Sequence, residues 1–156
     1  MGKNSKTQSP PITLRLRIRV VQPPAGVQFR LQEGRSDFVA PAHETRGEIQ
    51  FDFSLRLGPP RQGRPNFLGP AAQGPAASRF IYINSGRRAG QQETCWDRRA
   101  KVPLTAITKA LVQAALSNVG AVIEARIAGT ANDGGPVCAT VPLIGGRWSV
   151  VPEAAA

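Results

Sequence analysis

Ile12-Thr13-Leu14-Arg15-Leu16-Arg17-Ile18-Arg19-Val20 decides the fold class, because aliphatic and polar residues alternate strictly along it. Successive side chains of an extended chain point to opposite faces, so a period of two marks a strand with one face in a core and one toward water. After the turn Pro23-Pro24-Ala25-Gly26, Val27, Phe29 and Leu31 alternate with Gln28, Arg30 and Gln32, and the two runs together predict an antiparallel pair. A third alternation sets Ile49, Phe51, Phe53, Leu55 and Leu57 against Gln50, Asp52, Ser54 and Arg56, with a long aromatic core face. Shorter strands are predicted over 79–84, 99–104, 121–128, 137–143 and 147–151. Asn132-Asp133-Gly134-Gly135 tolerates positive φ and predicts a hairpin between 121–128 and 137–143, with Pro142 confined to an edge or bulge and 147–151 closing the sheet.

One segment reads as helix, about 105–117. Thr105 is placed to cap it, Ile107, Ala110, Leu111 and Ala114 share one face, Lys109, Gln113 and Ser117 share the other, and Asn118 and Gly120 end it. Short strands, Gly/Pro turns and a single helix predict a mainly β chain. The expected architecture is an antiparallel β-sandwich or partly open barrel, since a parallel α/β sheet needs a helix between successive strands.

The 156 residues suffice for one ordinary domain with its own core. We expect a disordered arm over 1–11, a single β-rich domain over 12–151 and a flexible tail over 152–156. Met1 to Pro10 has no apolar signal-peptide core, and no run of about 20 apolar residues exists to span a membrane. Cys95 and Cys138 therefore read as reduced thiols in a soluble, cytoplasmic protein with no membrane partner.

The net charge of +10 and pI near 11.2 invite a nucleic-acid reading. Lysine occurs only at positions 3, 6, 101 and 109, so arginine dominates the basic residues as a GC-rich genome would produce. Zinc-finger spacing, an RNP sequence and a basic zipper are all missing, and a nucleic-acid partner is not favoured. Arg15, Arg17 and Arg19 share one strand face, expected to include Arg30 and Arg56 as well. There Asp52 and Gln50 supply cross-strand partners for a solvated sheet, the alternative being an anion-binding surface.

Catalytic signatures are sparse. His43 is the sole histidine and reads as an exposed loop residue, three Cys and His residues fall short of a structural zinc set, and no Walker loop, nucleophile elbow or dinucleotide fingerprint is present. No cofactor is implied. What remains for an enzyme is a Cys95–His43 pair, or carboxylates such as Glu93 with Asp97, or Glu124.

The central region offers more. Gly and Pro crowd 64–78, which reads as a long loop, and in and near it Asn66, Gln73, Asn84, Gln91 and Gln92 carry amides, Tyr82 and Trp96 amphipathic rings, and Arg79, Arg98 and Arg99 forked cations. The candidate ligand-binding set is Asn66, Arg79, Tyr82, Asn84, Gln91, Trp96 and Arg99. Alternation puts Arg79, Ile81 and Ile83 on one strand face and Phe80, Tyr82 and Asn84 on the other, so Arg79 and Tyr82 share a pocket only across an edge or bulge. The competing reading is structural, with Phe67, Leu68 and Trp96 plugging one end of the sandwich.

The same residues carry a resemblance. Pro65-Asn66-Phe67-Leu68-Gly69-Pro70, Gln73-Gly74-Pro75, Arg79-Phe80-Ile81-Tyr82-Ile83-Asn84, Ala89-Gly90-Gln91, Cys95-Trp96 and Arg98-Arg99-Ala100-Lys101-Val102-Pro103-Leu104 resemble a bacterial family catalogued as a domain of unknown function. The later stretches Glu124-Ala125-Arg126-Ile127-Ala128-Gly129-Thr130 and Asp133-Gly134-Gly135-Pro136-Val137-Cys138-Ala139-Thr140-Val141-Pro142-Leu143 are similar to it too. The resemblance covers about 12–148 and implies no established activity, cofactor or catalytic residue. The residues themselves favour a non-enzymatic binding domain for a small anionic or polar molecule or a protein partner. A small enzyme with a carboxylate or Cys/His site is the alternative, and a nucleic-acid-associated basic protein is third.

Overall fold

β1 (Ile12–Val21) buries Leu14, Leu16, Ile18 and Val20 on one face, as its alternation predicts. The computed structural model describes residues 12–33, 39–40, 42–68, 80–88, 90–130 and 139–153. β1 pairs antiparallel with β5 (Glu48–Arg61), Leu16 opposite Phe53 and Ile18 opposite Phe51, so the aliphatic and aromatic core faces coincide. On its other side it runs parallel to β9 (Ala121–Ala128). β11 (Ser149–Pro152) then pairs with β9, while β4 (His43–Thr45) and β6 (Arg64–Leu68) pair with β5, completing the first sheet. The tight turns Arg46-Gly47 and Gln62-Gly63 connect these strands with both central residues at positive φ, 52° and 77° in one and 53° and 72° in the other. That geometry matches the twist of a two-residue hairpin.

The second sheet has the order β10-β8-β7-β2-β3: β10 (Ala139–Thr140), β8 (Cys95–Pro103), β7 (Phe80–Arg87), β2 (Val27–Glu33) and β3 (Val39–Ala40). Phe29, Leu31, Ile81, Ile83, Ala100 and Val102 from this sheet join the first sheet's apolar face in one buried cluster. The mainly β, two-sheet, one-helix prediction holds among the described residues. The sheets do not close into a barrel, and the parallel β1–β9 and β8–β10 ladders make the pairing mixed.

Three local expectations are corrected. β1 and β2 do not pair with each other, because both sides of β1 are taken and Gln22, at φ 51°, with Pro23 and Pro24 turns the chain out of the first sheet. Gly129 lets this corner close: it donates its amide to the Val21 carbonyl at 2.7 Å, and a Cβ there would lie 2.6 Å from Pro23 Cα. The stretch 137–143 is no hairpin partner of β9, whose two edges belong to β1 and β11. Its described part instead forms β10 on the second sheet and sends Val141 into the core. Finally, the Pro-containing stretch at 64–68 is a strand, not loop; 69–79 lies outside the described residues.

The helix, α1 (Lys109–Ser117), starts later than predicted. Thr108 caps it, its hydroxyl accepting from the Leu111 amide at 3.2 Å, because Leu104–Ile107 first makes a turn that drives Ile107 into the core. The inward face is accordingly Leu111, Val112 and Ala115, whereas Ala110 and Ala114 are exposed. α1 packs on β1, β6, β9 and β11. Trp148, fully buried, donates its indole N–H to the Pro103 carbonyl at 3.0 Å and so ties the approach to β11 to the end of β8 in the opposite sheet. Residues 1–11 and 154–156 lie outside the described residues; Pro152 ends β11 and Glu153 donates its amide to the Gly120 carbonyl at 2.6 Å.

Candidate functional site

The two sheets differ in what their outward faces do with charge. On the first, Arg17 is 3% exposed and donates from Nε to Asp52 at 3.0 Å and from a terminal nitrogen to the Glu153 carbonyl at 2.7 Å. Arg19 Nε donates to Glu124 at 2.9 Å and reaches toward Glu48, Arg126 also approaches Glu48, Arg15 pairs with Glu153, and Gln50 donates to Asp52 at 2.7 Å. Four cations thus meet four carboxylates, and like charges on neighbouring positions are separated by acids. Asp52 partners Arg17 as the sequence suggested, but Gln50 serves Asp52 and no arginine, Arg17 is buried and not solvated, and Glu48, Glu124 and Glu153 supply the other carboxylates. Arg30 lies on the second sheet; Arg56 stays on the first, opposite Thr13.

The second sheet's outward face has a different composition. Residues directly opposed in an antiparallel ladder point the same way. Arg30 opposes Asn84 and Asn84 opposes Arg99, so the three form one row across β2, β7 and β8. The next row is Gln32, Tyr82 and Lys101. Each arginine of the first row sits on a ring: the Arg30 guanidinium lies 4.5 Å from the centre of Trp96 and that of Arg99 lies 5.0 Å from the centre of Tyr82. Among the described residues neither guanidinium has a carboxylate partner. Such stacking leaves the planar N–H edge of arginine free for a carboxylate or phosphate.

Trp96 touches Arg30 from two strands away, so its ring extends across β7. There the ladder with β8 breaks register between Ser85 and Arg87, and Gly86 leaves the room: a Cβ on it would lie 1.9 Å from the Cys95 carbonyl oxygen. Asn84, in the middle of the row, is 2% exposed. Its Nδ2 donates to Gln32 Oε1 at 3.1 Å, while its Oδ1 has no hydrogen-bond partner among the described residues. The Arg30 Nε is likewise buried and without a partner among those residues.

Of the seven residues selected from sequence, Tyr82, Asn84, Trp96 and Arg99 come together on this face. Gln91 is exposed in the turn between β7 and β8, beyond one end of it. Asn66 lies opposite Gly58 in the β5–β6 hairpin, on the other sheet. Arg79 lies outside the described residues. Trp96 is half-buried on the outward face and does not plug the core, whereas Phe67 does join it. Sequence reasoning missed Arg30, Gln32 and Lys101. The alternation of 27–32 already put Arg30 and Gln32 on one polar face; strand order alone was needed to set that face beside Tyr82 and Asn84.

The alternative catalytic groups are dispersed. His43 is exposed on β4 at the first sheet's edge, and Cys95, a free exposed thiol, begins β8 in the second. Glu124 is held by Arg19 and Arg17, and Glu93 is exposed in the β7–β8 turn. No group of three or more His, Cys, Asp or Glu suited to a metal occurs among the described residues. No helix among them is long and apolar enough to cross a membrane.

A family model described as a family of unknown function (DUF5990) matches residues 14–151. No curated protein and no solved structure matches the chain.

Proposed function

Since the chain belongs to this family of unknown function, its activity has to be read from its own side chains, and we propose that it is a non-enzymatic binding domain for a small anionic or polar molecule. The outward face of the second sheet is its binding surface. One observation supports this above the rest: two guanidinium groups, each resting on an aromatic ring and unpaired with any described carboxylate, flank a buried amide in a single row. On the first sheet Arg15, Arg17, Arg19 and Arg126 are held in ion pairs, whereas Arg30 and Arg99 have no described carboxylate and rest on rings instead. Arginine held flat on a ring loses little further freedom on binding and offers two parallel hydrogen bonds to an oxoanion. The exposed free thiol of Cys95 suits a reducing compartment, and we place the protein in the cytoplasm.

A screen of anionic metabolites by NMR, following the Trp96 indole N–H, tests the reading. A ligand should perturb Trp96 while sparing Trp148, and Arg99→Ala should weaken it by about ten-fold or more, the worth of one charge-assisted pair. Tyr82→Phe, which keeps the ring under Arg99, should change little. Arg15→Ala on the other sheet should change nothing. Ligands that ignore Arg30→Ala and Arg99→Ala would overturn the proposal, and sequence-selective binding of short nucleic acids at physiological salt would replace it with the nucleic-acid reading.

A further inference from the structure

Arg30 and Asn84 are direct neighbours across the β2–β7 ladder, yet Arg30 Nε and Asn84 Oδ1 are each buried without a hydrogen-bond partner among the described residues. The reason lies in what each side chain already holds. Asn84 is anchored by its Nδ2 bond to Gln32, and the Arg30 guanidinium lies over Trp96. Opposed positions of one ladder thus leave a desolvated donor and a desolvated acceptor, a costly arrangement that a ligand group can relieve.

The pair is selective in kind. A bare carboxylate oxygen accepts from Nε and repels Oδ1; an ammonium donates to Oδ1 and repels the guanidinium. A hydroxyl does both, accepting through a lone pair and donating its proton. Beyond Asn84 in the same row, the Arg99 fork is suited to an oxoanion. Resting on the binding reading above, we infer that the ligand of this face is a hydroxyl-bearing oxoanion, its hydroxyl between Arg30 Nε and Asn84 Oδ1 and its charge on the guanidinium forks. Two-hydroxycarboxylates and hydrogen phosphate share this chemistry.

Paired probes that differ in the hydroxyl test it on the full chain, by calorimetry at fixed ionic strength. Malate against succinate is the carboxylate arm, and phosphate against sulfate at neutral pH is the inorganic arm; the arm that binds identifies the source. In that arm the hydroxylated member should bind at least about ten-fold more tightly, because a site left with unpaired buried polar groups rejects the analogue lacking them. Asn84→Leu should collapse that ratio toward one, while Arg99→Lys should weaken both members together and preserve it. If Asn84→Leu does not fold, the two ratios on the native chain decide alone. Equal binding of paired members at this face overturns the inference and leaves the binding reading standing. If no anion perturbs the Trp96 indole, the binding reading falls and the inference with it.

Discussion

Replacing Arg17 with methionine separates an arginine that holds the fold from one that awaits a ligand. Arg17 is 3% exposed and makes two charge-assisted hydrogen bonds, to Asp52 and to the Glu153 carbonyl, with Glu124 3.6 Å from a third nitrogen. Two such bonds are worth about 3–6 kcal/mol gross. Three features reduce the loss. Asp52 is 39% exposed and keeps its bond from Gln50, so water can resolvate it; Glu124 keeps Arg19; and methionine retains much of the buried stem. The net cost should be about 2–4 kcal/mol, below that of a wholly buried pair stripped of one partner. Urea unfolding at neutral pH measures it, with an unchanged m-value showing that stability alone has moved. Arg15→Met is the control: its side chain is 53% exposed, and it should cost no more than about 0.5 kcal/mol. Equal effects of the two substitutions, or a loss at Arg17 below about 1 kcal/mol, would refute the view that the first sheet's ion pairs are structural.

Gly86→Ala should destabilise by about 1–3 kcal/mol and shift the Trp96 indole resonance, since the new methyl would meet the Cys95 carbonyl. Trp148→Phe removes both the N–H that the Pro103 carbonyl accepts and part of a fully buried ring system, and should cost about 2–5 kcal/mol by the same unfolding assay. Thr108→Ala removes the cap of α1 and should cost about 1 kcal/mol, with hydrogen exchange rising first at the Leu111 amide.

The strands with strict alternation were legible because burial on one face writes itself into every second residue: β1, β2 and β5 follow Leu14 to Val20, Phe29 to Leu31 and Ile49 to Leu55. β6 was not, because Pro65 and the flanking glycines carry turn chemistry into a strand that, among the described residues, pairs along one side only. Nor was the choice of partners. β1 and β2 alternate alike, and nothing in either says that β1 takes β5 and β9 while β2 joins the opposite sheet; that is decided by which apolar faces fill the core together. The candidate site inherits this division. Tyr82 and Asn84 share a face by local periodicity, whereas Arg30 reaches them through strand order, and Trp96 reaches Arg30 only because Gly86 lets β8 crowd β7.

The parallel pairing of β1 with β9 has a consequence for how the chain reaches this state. Leu16 meets Ile123 across a loop of roughly a hundred residues, and connections of that length slow the search for native contacts. During synthesis β1 can pair with β5 early, but its second edge stays open until β9 has emerged, with backbone donors and acceptors exposed along it. With β5 supplying Asp52 and Glu48 but Glu124 and Glu153 still to arrive, the excess charge of Arg15, Arg17 and Arg19 sets that open edge against a second copy of itself.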